Sequence, residues 1–175
     1  MRRALAVFVF VLVAAAAVYY FFVRDKTVEA NVQPLSLAAR IGEGEDAVPV
    51  NANGELLTWL TLPEDLALPA LPLTEPPKGK RLQGPVLEQA EVLGAVPPVL
   101  RPYVAGSSYG EAGVEVELTS GIDLRFGTAA QADRKWKAAA AVLADPEIEA
   151  LDYVDLRAPG DPAVGGEGNL LPPLP

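Results

Sequence analysis

An α+β fold is predicted for this chain: a single N-terminal transmembrane helix, then a twisted, largely antiparallel β-sheet domain with two helices packed on it. Three observations carry the prediction. An uninterrupted apolar run occupies Ala4–Val23. Two runs that alternate apolar with charged residues, Val114–Leu118 and Ile122–Phe126, flank the short turn Thr119-Ser120-Gly121; that period of two marks paired, half-buried strands. Then Trp136, Ala139, Ala140 and Leu143 fall at i, i+3, i+4 and i+7, one face of a helix, and a further strand pattern covers 151–157. Strand, strand, helix, strand is the order of a sheet with helix laid on one side.

Taken in order, residues 1–3 form a short N-terminus with Arg2 and Arg3, expected to be cytoplasmic. The run at 4–23 is about 20 residues, and at about 1.5 Å per residue it spans the ~30 Å of a bilayer core. Tyr19–Phe22 supply an aromatic belt at its far end. A cleaved signal peptide competes, because Ala14–Ala17 offer small residues, but a signal's apolar core is usually only ~7–15 residues. Residues 24–36 read as an extended tether. Residues 37–166 are expected to be one extracytoplasmic β-domain, and the Pro- and Gly-rich 167–175 a disordered tail.

Within the domain, Ala38–Ile41 suits a short strand. Val48–Asn51, Ala52-Asn53-Gly54 and Glu55–Thr58 read as a hairpin, since Asn-Gly tolerates positive φ. Trp59, Leu60 and Leu62 are expected in the core or covering the sheet. Leu66–Gly84, with four prolines, reads as extended chain and loop. Pro85–Leu93 is a helix with proline at its first position and Gly94 at its end. Tyr103–Ser108 is a strand leading into a turn at Tyr109–Gly113. In the next hairpin, Leu118 facing Ile122 sets Val116 against Leu124, Val114 against Phe126, Glu115 against Arg125 and Glu117 against Asp123. Thr128 with Gln131 forms a capping-box pattern for the Trp136 helix, and Asp145-Pro146 ends it.

Composition removes whole classes of function. The net charge of −9 argues against nucleic acid, and the positive cluster Lys78, Lys80 and Arg81, outside the anchor region, reads as a solvated loop. Cysteine and histidine are both absent. That eliminates disulfides, thiolate chemistry, the commonest zinc ligand and any Ser-His-Asp triad. The acids at Glu43, Glu45 and Asp46 lack the ligand spacing of a calcium loop. No catalytic residue, metal site or cofactor is expected. A hydrolase built on a carboxylate pair is a third hypothesis behind two binding readings.

Gly121–Gly127, the Lys135-Trp136 helix, Tyr153-Val154-Asp155-Leu156-Arg157 and Ala163-Val164-Gly165 together resemble the C-terminal β-domain of the FtsQ/DivIB family of bacterial cell-division proteins. The richness in Ala, Pro and Val is similar to actinobacterial members. The family usually carries a small POTRA module between anchor and β-domain. Here only Asp25–Leu35 is available, and Thr27–Val32 resembles at most its last strand, which cannot bury a face alone.

The resemblance implies a non-enzymatic scaffold of the septum in the cell membrane, single-pass, with the N-terminus inside. It implies FtsB/DivIC-type and FtsL-type divisome partners, bound through a late strand near the sheet edge. On this sequence that site is Tyr153, Val154, Asp155, Leu156 and Arg157, continuing to Ala163, Val164 and Gly165. Ala158 and Gly166 stand where the family places aromatic residues. The competing view has Tyr153 and Leu156 as core residues and Pro159 and Pro162 as edge-blunting prolines. The alternative function is a membrane-anchored module that binds wall polymer or another protein.

Overall fold

Alternation along the chain sorts its side chains onto two faces of a sheet. Val114, Val116, Leu118, Ile122, Leu124 and Phe126 all turn inward and are at most 1% exposed. The computed structural model describes residues 36–173, apart from 64, 65, 67 and 74. The apolar run at 4–23 and the tether as far as residue 35 lie outside the described residues.

The elements are β1 (Leu37–Ile41), β2 (Val48–Asn51), α1 (Pro85–Gly94), β3 (Val104–Gly110), β4 (Gly113–Leu118), β5 (Asp123–Gly127), α2 (Ala132–Leu143), β6 (Tyr153–Asp155) and β7 (Ala163–Gly165). β1 and β2 form an antiparallel pair, and β3-β4-β5-β6-β7 form a five-stranded sheet in that spatial order. Among the named strand pairs, β5–β6 alone is parallel. A parallel neighbour requires a crossover connection, and α2 supplies it.

A single residue joins the two sheets. Ala70 bridges in parallel to Arg40 of β1 on one side and to Gly106 of β3 on the other. The peptides around Ala70 take up both main-chain polar groups of Arg40, with Arg40 N–H donating to Pro69 O at 3.0 Å and Leu71 N–H to Arg40 O at 2.9 Å. Nothing in the proline-rich 66–84 run announced a strand contact, because one residue has no period to detect.

The central hairpin keeps its expected register at Glu115↔Arg125, Val116↔Leu124 and Glu117↔Asp123. It departs at the open end, where a bulge sets Val114 opposite Gly127 in place of Phe126. The first hairpin also forms. Asn51 holds it, its Oδ1 accepting from Asn53 N–H at 3.0 Å and Glu55 N–H at 2.9 Å. Trp59 is a correction: it was expected in the core and is 72% exposed. The turn at Leu57–Leu60, closed by Leu60 N–H to Leu57 O at 2.9 Å, carries its ring outward.

The two helices cover the apolar face. α1 runs as expected with proline in its first turn. α2 starts later than the capping box implied: Gln131 is in the left-handed conformation at φ 60° and no side chain caps the helix. Lys135 provides the local order there. Its ammonium donates to Phe126 O at 2.7 Å and Thr128 O at 2.8 Å, tying the first turn of α2 to the end of β5. Burial pushes the Lys135 amine below its ordinary range, and the carboxylate of Glu88 partly opposes that. Trp136 is fully buried against Phe126, with ring centroids 4.9 Å apart. Its indole N–H donates to Val92 O at 2.8 Å, so it fastens α2 to α1.

Candidate functional site: the outer edge of the sheet

The late strands place the predicted site residues in two different situations. β6 is an interior strand. Leu124 and Val164 flank Val154 on its two sides, and Val154 is fully buried. Leu156 is fully buried as well, and its N–H donates to Arg125 O at 2.9 Å. The free side belongs to β7. Among the described residues no strand pairs with its outer flank. The edge thus lies one strand further out than Tyr153–Arg157, at Ala163, Val164 and Gly165. An outermost strand leaves part of its N–H and C=O groups without a ladder partner, a template for another strand.

The two faces of the edge differ in chemistry. One cross-strand row runs Val116, Leu124, Val154, Val164. Its inner members are fully buried, whereas Val164 is 45% exposed. The next row runs Glu115, Arg125, Asp155, Ala163 and is polar. Tyr153 lies on that polar face, with the Arg125 guanidinium 3.8 Å from its ring centroid, a cation–π contact.

Arg157 and Asp155 form a bidentate pair at the end of β6. Arg157 Nε donates to both carboxylate oxygens at 3.0 Å, Nη2 donates to Oδ2, and the Arg157 N–H adds a bond to Oδ1 at 3.0 Å. Hydrogen bonding from Arg157 holds the Asp155 carboxyl below the usual carboxylate range. Beside the pair, Asp155, Arg157, Ala158, Asp161 and Ala163 line an open concavity of about 430 Å³.

A depressed folded-state pKa means the unfolded chain binds the proton more readily. The stabilisation is therefore present above the ordinary pKa of Asp155 and is lost as pH falls through the folded value. Asp155→Asn should remove that part of the acid limb. With a solvent-facing arginine the loss at neutral pH should be about 0.5–1 kcal/mol, read by urea unfolding across acid pH. An unaltered acid limb would show that the pair contributes nothing.

The chain then turns sharply at Gly166. Its φ is 81°, and a Cβ built there would lie 2.1 Å from Asp152 Oδ2. No aromatic side chain fits this position without moving Asp152. Asp152 also orders the segment after the turn: its Oδ1 accepts from Gly168 N–H at 3.0 Å and Asn169 Nδ2 at 3.2 Å. Asn169 Nδ2 also donates to Gly121 O at 3.1 Å.

Residues 169–173, part of the stretch that the sequence reads as a tail, are bonded back to the domain. Leu151 N–H donates to Asn169 O at 2.9 Å, Ala150 and Leu170 form an antiparallel bridge, and Tyr103 Oη donates to Pro173 O at 2.6 Å. Asp152 and Asn169 are the ordering residues of this segment, and the sequence reading did not single them out. Their only signal was a lone carboxylate before a strand and an amide in a glycine-rich turn, patterns too common to interpret alone.

No group of three or more His, Cys, Asp or Glu among the described residues could hold a metal ion. No helix among them is long and apolar enough to cross a membrane.

Comparison with known proteins agrees with this architecture. Residues 39–157 match the family described as "Cell division protein FtsQ/DivIB, C-terminal". No individual curated protein matches the chain. The matched span runs from β1 through Arg157 and takes in both helices and the whole central hairpin. It covers well over half of the sequence, and the chain belongs to the FtsQ/DivIB family of cell-division proteins.

Proposed function

We propose that this chain is a non-enzymatic scaffold of the division septum that binds small coiled-coil partners, of the FtsB/DivIC and FtsL type, by strand addition to β7. In this reading Ala4–Val23 anchors it once in the cell membrane with residues 1–3 inside and the β-domain outside. The observation that carries the reading is the position of β7: outermost in the sheet, apolar and half-exposed at Val164, inside a chain of this family. A partner strand would gain main-chain hydrogen bonds from the edge. Val164 and the rim around Arg157 would select its side chains. Ala158 and Gly166 supply no aromatic anchors, so affinity would rest on the ladder and on Val164.

Val164→Lys tests this. The site is exposed, so folding stability should change by less than about 1 kcal/mol. A charge on the outermost strand opposes pairing, and affinity for the FtsB/DivIC-type partner of the same cell should fall on the order of tenfold or more, about 1.4 kcal/mol. Unchanged affinity in a folded variant would rule out β7 as the docking strand. Val154 would make a poor probe, because its burial between two strands couples any change there to folding.

A further inference from the structure

The exposed Trp59 has neighbours that give it a use. The segment at Glu55–Leu56 pairs with β2 on one side and with Lys80–Arg81 on the other. Val50 bridges Leu56, Glu55 bridges Arg81, and Leu56 N–H donates to Lys80 O at 2.9 Å. The Leu57–Leu60 turn that carries Trp59 follows directly on Leu56, the residue bonded to Lys80. Lys78, Lys80 and Arg81 are all exposed. Arg81 is fixed by donating its Nε to Asn53 O at 2.8 Å. In a chain of net charge −9, these three cations fall within four residues, and the exposed Trp59 lies three residues beyond Leu56, which is bonded to Lys80.

The chain enters the domain at the same end of β2. Ala52 N–H donates to Ser36 O at 3.0 Å, one residue from the carbonyl that holds Arg81. Between the apolar run ending at Val23 and Ser36 lie only residues 24–35. Even fully extended, they reach about 40 Å. Tryptophan favours the bilayer–water interface, and juxtamembrane lysines and arginines are drawn to anionic lipid.

We infer that Trp59 with Lys78 and Lys80 is a docking patch for the anionic headgroup surface of the membrane that anchors the chain. The patch lets the β-domain lie against the bilayer at its N-terminal end, while β7 is the opposite terminus of the strand order. The inference rests on the reading of Ala4–Val23 as an anchor, and is independent of the partner assigned to β7.

The chain reports on itself. It has two tryptophans, Trp59 exposed and Trp136 fully buried, and the apolar run contains neither. The full chain would be reconstituted into vesicles of brominated phosphatidylcholine with phosphatidylglycerol. Brominated lipid should quench the Trp59 emission and shield it from aqueous acrylamide. High salt should reverse both effects, and Trp59→Phe should abolish the quenching.

Each basic side chain near a charged bilayer contributes about fivefold to affinity, so Lys78→Gln with Lys80→Gln should weaken docking roughly twenty-five-fold. A Trp59 open to acrylamide and untouched by lipid bromine overturns the proposal and leaves that patch to a protein or wall surface. Equal quenching in neutral vesicles, or in the double lysine variant, overturns it too. Flotation of the chain with vesicles at high salt reports the anchor separately, so failure of the anchor and failure of the patch give different results.

Discussion

Trp136→Ala should cost the β-domain about 3–5 kcal/mol, the range for truncating a fully buried tryptophan. A domain's whole stability is about 5–15 kcal/mol, so the variant should stand near the edge of folding. The loss has a specific location. The indole fills the space between the two helices and Phe126, and its N–H is the hydrogen bond from α2 to α1. The Val92 carbonyl keeps a second donor, Ala95 N–H at 3.2 Å, so the cavity dominates the cost over an orphaned acceptor. Trp136→Phe, which refills part of the cavity, should lose clearly less. Urea unfolding of residues 36–175 would measure both. A Trp136→Ala midpoint close to wild type would mean that the helices collapse onto the sheet without help from this ring.

Gly113→Ala should cost about 2–4 kcal/mol, an unusual amount for adding one methyl group at a strand start. Gly113 has φ 97°, and an added Cβ would lie 2.3 Å from Gly127 O, 2.6 Å from Gly127 C and 2.8 Å from Gly127 Cα. All three atoms are backbone, so no rotamer change relieves the overlap. β4 would have to separate from β5 at its first pair. Gly110→Ala, at the other end of the same tight turn, finds nothing within 4 Å and should stay within about 0.5 kcal/mol. Equal effects at the two positions would refute the steric argument and point to general loss of chain flexibility.

Much of this domain is legible in its sequence. The central hairpin keeps most of its register because five alternating residues on each side leave only one way to bury all the apolar ones. The Trp136 helix is legible for the same reason, with Lys135, Trp136, Ala139 and Leu143 its buried residues. Three things escape, each for a physical reason. The bulge at Val114 depends on Gly113 and Gly127 meeting across strands, a pairing that local patterning does not encode. The outward placement of Trp59 depends on a turn that follows a paired segment only two residues long. The ordering of 167–173 depends on Asp152, which lies far away in sequence. Of the candidate residues, Ala163–Gly165 form the outermost strand and Tyr153–Asp155 the strand inside it. Tyr153–Arg157 carries the strong pattern because it is interior and constrained, whereas Ala163–Gly165 is too short to show a period.

The single-residue link at Ala70 governs how this domain would carry force. Strand order runs from β2 and β1 through Ala70 to β3 and across to β7. Tension applied between the chain entry at Ser36 and a partner seated on β7 would act across the strands and not along them. Hydrogen bonds would then open one after another, as in a zipper, and Ala70 would be the first tooth to part. Helix α1 packs on β1 and β2 on one side of that seam and on β3 and β4 on the other. Under load it would act as a splint, sharing the pull across the seam so that the two sheets yield together.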